Sequence, residues 1–348
     1  FSYLYFFENE KNKQISEREF FKDKNIFKFY RKINKKKNLQ NFTMRYLEKF
    51  LPSEFKKLLK KDLTKNRIKK NILISKSISD TKNFNFKNFY LNNYHNTQLA
   101  SLQHGGGYGF DKNLFNEMYE RKIADYFISW GWLGKKVLSL PQNIEITNQS
   151  EVNKIKKRIG KFVLFVTWSL NRSYLCSLKN TDYYVSKSLN PSVNFVKKLS
   201  KKYKVVVKLP PFKNSWRELD NFKINKNIVV VKDEYKFLDL AKASELTIHN
   251  HLNTTALQAL SLNIPTFIFC DKIFVNCKTE ANRDLNKLII SKIFFYNELN
   301  LLNQIKTKNF IINEWWNSKI IQENRKKFCQ KYIYSSANYQ EEWLKRLL

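Results

Sequence analysis

Seven consecutive residues concentrate the chain's most unusual chemistry: Gln103-His104-Gly105-Gly106-Gly107-Tyr108-Gly109. The whole sequence of 348 residues has only seven glycines, and four of them fall here. Glycine adopts positive φ without strain and lets one stretch of backbone approach another closely. A run of glycines beside a histidine therefore predicts a tight loop around something. The expected arrangement is a set of backbone N–H groups facing a ligand that carries negative charge, with His104 beside it. Imidazole titrates near neutral pH, which suits it to take a proton from a hydroxyl or to steady charge on a donor. The plainer alternative is a structural turn with a packed histidine.

A second candidate is Asn250-His251-Leu252-Asn253-Thr254-Thr255, which reads as a strand end running into a helix. A helix start leaves about four N–H groups unpaired and carries roughly half a positive charge, which suits a phosphate. Asn253 or Thr254 would cap the helix, and a spare threonine hydroxyl would reach a phosphate oxygen. Capping alone would equally explain these residues. Asn250, Thr254, Thr255 and Gln258 are the donor-side candidates. Lys208 ends an apolar run just before Pro210-Pro211, and Arg172 and Arg217 are guanidinium groups suited to phosphate. All three also read as ordinary surface cations. Other templates fit poorly. There is no G-x-x-x-x-G-K-[ST] loop, no G-x-S-x-G elbow and no G-x-G-x-x-G fingerprint. His249 and His251 lie two apart, but the four histidines and four cysteines form no ligand cluster. Neither a metal site nor a cofactor is expected.

The elements that position these groups read as an alternation of strand and helix. Asn71–Ser75 and Leu99–Leu102 are strands, with a helix near Phe84–Asn93 between them. The glycine loop leaves the second strand. Phe115–Ile123 is a helix carrying Glu117 and Glu120, and Asp125–Trp130 is a strand. Residues 142–160 are polar and mark a boundary. Strands are then expected at 162–166, 204–209, 227–232, 246–249 and 266–269, with helices at 192–203, 234–243 and 254–262. Continuous apolar runs of this kind suit a parallel sheet buried on both faces. The tail is helical, with Trp315, Trp316, Ile320 and Phe328 on one apolar face. The expectation is an α/β protein with two Rossmann-type domains facing across a cleft. Residues 1–145 form the acceptor side, 155–313 the nucleotide-donor side, and 314–348 pack back across both.

The net charge of +34, from 64 Lys+Arg against 30 Asp+Glu, invites a nucleic-acid reading. The excess is spread along the whole chain, so it argues better for anionic substrates or an anionic lipid surface than for a specific nucleic acid. A basic amphipathic helix beginning at Ser53, with Phe55, Leu58, Leu59 and Leu63 on one side, would suit such a surface or simply dock on the core. No apolar run is long enough to span a bilayer. Cys176, Cys270, Cys277 and Cys329 read as buried free thiols, consistent with a cytoplasmic protein, at most peripheral on the inner face of the membrane.

Several of these residues together resemble a known family. They are the 103–109 loop, Glu120, Ile123-Ala124-Asp125-Tyr126-Phe127 and Trp130-Gly131-Trp132. They continue through Thr254-Thr255-Ala256-Leu257-Gln258-Ala259-Leu260 and Asn263-Ile264-Pro265-Thr266. The tail pattern Trp315-Trp316-Asn317-Ser318-Lys319, Gln322, Arg325 and Phe328 completes the match. The combination is similar to transferases encoded with bacterial surface-carbohydrate genes. More distantly it resembles Kdo transferases and polyglycerol-phosphate transferases. The resemblance implies a GT-B-like fold, a nucleotide-activated donor such as a CMP- or NDP-sugar, and no metal requirement. It implies a glycosyltransferase making surface polysaccharide or lipopolysaccharide, with a glycan or glycolipid acceptor. The alternatives are transfer of glycerol or ribitol phosphate from a CDP-alcohol, or a non-enzymatic basic protein that binds nucleic acid or anionic membrane. In the glycerol-phosphate relatives the histidine-glycine pair is catalytic, which maps onto His104-Gly105 with Glu120 alongside. Relatives usually carry Glu where this chain has Gln258. They are longer at the N-terminus, so the first domain is expected to be incomplete here.

Overall fold

The alternating apolar runs fold into parallel sheets. The structure is a computed structural model that describes residues 71–76, 97–142, 147–168, 185–210, 221–223 and 225–347. The expected helices at 53–63 and 84–93, together with Arg172, Arg217 and Cys176, lie outside the described residues. The described chain divides into two compact units. One holds 71–76, 97–104, 115–128 and 134–138, and the other holds 105–114, 129–133 and 139 onward.

The first unit is built on a four-stranded sheet: β1 (Asn71–Lys76), β2 (Thr97–Leu102), β3 (Tyr126–Ser129) and β4 (Val137–Ser139), in that spatial order. β1 and β2 pair in parallel, as do β2 and β3. Helix α1 (Phe115–Ile123) precedes β3. Asp125 ties the return of the chain to β2: its carboxylate accepts from Leu99 N at 2.8 Å, and its own N–H donates to the Leu99 carbonyl at 2.9 Å.

The second unit has six strands: β5 (Val163–Val166), β6 (Val205–Lys208), β7 (Ile228–Val231), β8 (Leu246–His249), β9 (Thr266–Phe269) and β10 (Phe294–Phe295). Their spatial order is β10-β9-β8-β5-β6-β7, and every pair is parallel. The chain builds outward from β5 to β7, then returns to β8 on the other side of β5. The order therefore reverses between β5 and β8.

Both faces of this sheet are covered, which explains the unbroken apolar runs. Val163, Phe165, Val205 and Val207 pack toward α3 (Asn190–Leu199) and α7 (Glu298–Lys306). Leu164, Val166 and Val206 pack toward α2 (Gln149–Ile159) and α4 (Phe237–Ala243). The stretch 142–160, read from composition as a boundary, thus contains a helix. Val152, Ile155 and Ile159 are its buried stripe among lysines, and the Asp239 carboxylate of α4 accepts from Asn148 N at 3.0 Å.

A third cluster joins α5 (Thr254–Ser261), α6 (Thr279–Ile290), α8 (Ile312–Asn317) and α9 (Lys319–Tyr332). The tail breaks into two helices at Ser318, so Ile321 is buried and Ile320 is exposed, contrary to the single apolar face expected. Helix α10 (Tyr339–Leu347) ends the described chain.

Candidate functional site

His104 lies two residues past the end of β2 and within the first unit. Its Nε2 is 3.2 Å from Oε1 of Glu120. The other carboxylate oxygen, Oε2, accepts from Ser101 Oγ at 3.2 Å. Glu120 is wholly buried, while the imidazole keeps 24% of its surface in solvent. Helix α1 explains this placement. Glu117 and Glu120 sit three apart on its inward face, and Glu117 is held by Arg121 at 3.1 Å one turn on. A buried carboxylate is costly unless its oxygens find donors, and here Ser101 and His104 supply them. A reachable imidazole backed by an inaccessible carboxylate is the arrangement that orients a histidine and stabilises its protonated form during proton transfer.

The glycine loop from Gly105 onward belongs to the second unit. Gly106 N donates to Thr254 Oγ1 at 3.0 Å. A Cβ at Gly106 would lie 2.8 Å from Thr254 N and 2.9 Å from the Asn253 carbonyl carbon. Only glycine therefore seats the loop on the start of α5. Gly109 has φ +73°, and a Cβ there would overlap the indole of Trp132. Tyr108 and Gln103 are buried, and Gln103 N donates to Ile128 O at 2.9 Å. The expectation that the loop's N–H groups face a ligand is corrected at Gly106, whose N–H is satisfied by a threonine 148 residues away. The loop packs on a helix start because the absence of a side chain allows it to.

The start of α5 adjoins the reversal in strand order, where open α/β sheets bind ligands. Val166 of β5 pairs with both His249 of β8 and Lys208 of β6, so these residues form one row at the carboxyl ends of three strands. Asn253 is the N-cap, and its side chain accepts from Ala256 N at 3.1 Å. Thr255 Oγ1 donates to the same Asn253 oxygen at 2.7 Å, which holds the cap in place. Among the described residues, the N–H groups of Thr254 and Thr255 have no hydrogen-bond partner. These are the groups a helix start presents to an anion. Gln258 is half-buried one turn beyond Thr254, on the same face.

The remaining candidates have other roles. Asn250 is buried and bridges strand ends, accepting from Trp168 N at 2.5 Å and donating to Ser192 Oγ at 3.1 Å. Both contacts tie it into the framework at the strand ends. Lys208 Nζ donates to the Lys232 carbonyl, and burial is the main cause that lowers its pKa. Burial pushes His249 down to about 3 and His251 to about 4, so both rings are neutral at pH 7. His251 Nδ1 lies 3.2 Å from Cys270 Sγ. Among the described residues, no group of three or more His, Cys, Asp or Glu is placed to hold a metal ion. Sequence reasoning missed Trp168, which stacks on His251 with centroids 4.5 Å apart at the reversal point. Its position two residues past an apolar strand was the available signal.

The first unit thus offers a histidine backed by a buried acid, and the second a capped helix start at a strand-order reversal. The protein is a transferase. It belongs to the LIC12162 family of transferases, whose pattern it matches over residues 2–347. A comparison with curated proteins finds no match. Among solved structures, a variant of the wall teichoic acid polymerase TagF is 14% identical, with 79% of this chain and 71% of that one covered and a TM-score of 0.47. HepE of Anabaena, in complex with UDP-glucose, is 10% identical over 79% and 78%, with a TM-score of 0.46. The glycosyltransferase SnogD of Streptomyces nogalater is 12% identical over 72% and 67%, with a TM-score of 0.40.

Proposed function

We propose that this transferase moves a sugar from a nucleotide-activated donor, a CMP- or NDP-sugar, onto a hydroxyl of a surface polysaccharide or lipopolysaccharide precursor. The observation that carries the reading is the His104–Glu120 pair: a solvent-reachable imidazole held at 3.2 Å by a buried carboxylate. In this reading His104 takes the proton of the acceptor hydroxyl. That oxygen bonds to the anomeric carbon, and the bond from that carbon to the donor phosphate breaks with its electron pair on phosphate oxygen. Glu120 steadies the imidazolium that forms. Within the second unit, the N–H groups of Thr254 and Thr255, with Gln258 on the same face, suit the phosphates of a nucleotide-linked donor.

No described helix is long and apolar enough to cross a membrane, and a glycolipid acceptor would be met at the inner face of the bilayer. The test is turnover across a donor panel of CMP-sugars, NDP-sugars and CDP-alcohols, with wild type and His104→Ala. The reading expects sugar transfer that falls by about 10²–10⁴-fold in the variant. Transfer from CDP-glycerol or CDP-ribitol alone would replace the sugar donor with an alcohol phosphate. Unchanged turnover in His104→Ala would remove the histidine from the chemistry.

A further inference from the structure

The tail pattern around Trp316, Gln322 and Arg325 plays no part in the chemistry above, yet the structure gives it a defined target. Helix α5 ends in a left-handed residue, Asn263, with φ +56°. Asn263 N donates to Leu260 O at 3.1 Å, and Ile264 N donates to Ala259 O at 3.0 Å, the paired bonds of a Schellman ending. The tail then closes on this ending from outside. Arg325 Nη1 donates to the same Leu260 carbonyl at 2.7 Å, and its Nε and Nη2 reach Gln322 Oε1 at 3.2 and 3.0 Å. Gln322 Nε2 donates to Trp316 O at 2.7 Å. Trp316 Nε1 donates to Asn263 O and Oδ1 at 3.1 and 3.0 Å. The loop of bonds runs from α5 through α8 and α9 and back to α5, and Trp316 and Arg325 are both buried within it.

We propose that this tail is a clamp on the carboxyl end of α5 that fixes where its amino end sits, with Arg325 as a positioning residue for Thr254 and the Gly106 loop. α5 has eight residues, so the two ends are only about 12 Å apart and move as one rigid rod. Arg325 is suited to the task because its planar fork makes three bonds in fixed directions, which an ammonium does not reproduce. A shift at Leu260 is carried to Thr254, whose hydroxyl holds the Gly106 N–H.

The experiment is residue-resolved amide exchange on ligand-free full-length protein, comparing wild type with Arg325→Lys and Trp316→Phe. The first variant keeps the charge and removes the fork. The second keeps the ring and removes the indole donor. The clamp predicts at least tenfold faster exchange at Gly106 and across Leu257–Leu260, with β5 and β6 unchanged. Unchanged exchange at Gly106 in either folded variant overturns the proposal. A uniform rise that includes β5 and β6 overturns it too, because that is a general stability role. Trp316→Phe carries the test if Arg325→Lys does not fold. The consequence for donor binding rests on the proposed function: CDP affinity by calorimetry is expected to fall about tenfold in Arg325→Lys. If wild type binds none of CMP, CDP and UDP, the donor assignment fails while the exchange result still decides the clamp.

Discussion

Replacing Glu120 with Gln separates its electrostatic role from its packing role. The side chain is fully buried, and among the described residues Ser101 and His104 contact it at 3.2 Å each. Gln keeps the shape, and its carbonyl oxygen still accepts from one of them. What disappears is the negative charge facing the imidazole as that ring takes a proton. A hydrogen bond to a charged group is worth about 1.5–3 kcal/mol, and about 1.4 kcal/mol is tenfold in rate. The expected loss in kcat is therefore about 10- to 150-fold, with KM for the donor unchanged within about twofold. The assay is steady-state transfer with wild type, Glu120→Gln, His104→Ala and the double variant. Because the carboxylate acts through the histidine, its removal from His104→Ala should cost almost nothing further. A Glu120→Gln penalty that persists in full without the imidazole would refute the reasoning, as would full wild-type activity in the single variant.

Gly106→Ala places a methyl 2.8 Å from Thr254 N, so thermal melting should show a loss of about 1–3 kcal/mol together with reduced turnover. Gly160→Ala, at φ +79° and ψ −153° in open space, should cost about 1–3 kcal/mol in the same melt and leave turnover unchanged. The neutral burial of His249 and His251 predicts acid sensitivity. Their folded values lie below the unfolded value near 6.5, so their contribution is complete above that pH. It is lost as pH falls from about 6.5 toward 4 and then 3. Denaturant titrations should show a slope of up to about 1.4 kcal/mol per pH unit per histidine, absent for the site changed in His251→Gln. Asp284 joins α6 to α9 through Lys331 at 2.8 Å and Tyr332 at 3.0 Å. Burial alone would raise its pKa, but bonds from Lys331, Lys287 and Tyr332 hold it below the ordinary carboxylate value. Its stabilisation is present above about pH 4 and is lost as pH falls through the folded value. Asp284→Asn should lower Tm at pH 7 and flatten the melting profile below pH 4.

The parts legible in the sequence were those set by local pattern. Val163–Val166 and Val205–Val207 are apolar at every position, and Leu246–His249 is buried throughout, because both faces of the sheet are covered; an unbroken apolar run of that kind reads directly as a buried strand. Asn253 reads as a cap because the preference is local to the helix start. Val137–Ser139 and Phe294–Phe295 were missed because three or two residues carry no periodicity. The 149–159 helix was hidden by its polar residues: Lys154, Lys156, Lys157 and Arg158 alone outnumber the three buried positions. Pairings distant in sequence were not legible. Nothing near Gly106 announces that its N–H is given to Thr254, and nothing near Asn250 announces that its amide joins Trp168 to Ser192. The His104–Glu120 contact spans 16 residues and depends on α1 turning its acidic face inward, which runs against the usual polarity of a helix.

On the proposed function, the start of α5 receives the phosphates of a nucleotide-linked donor. A structure of the protein soaked with CMP, CDP or UDP tests it most directly. Phosphate oxygens are expected within about 3.2 Å of the N–H groups of Thr254 and Thr255. A nucleotide bound elsewhere, with those two groups untouched, would contradict it.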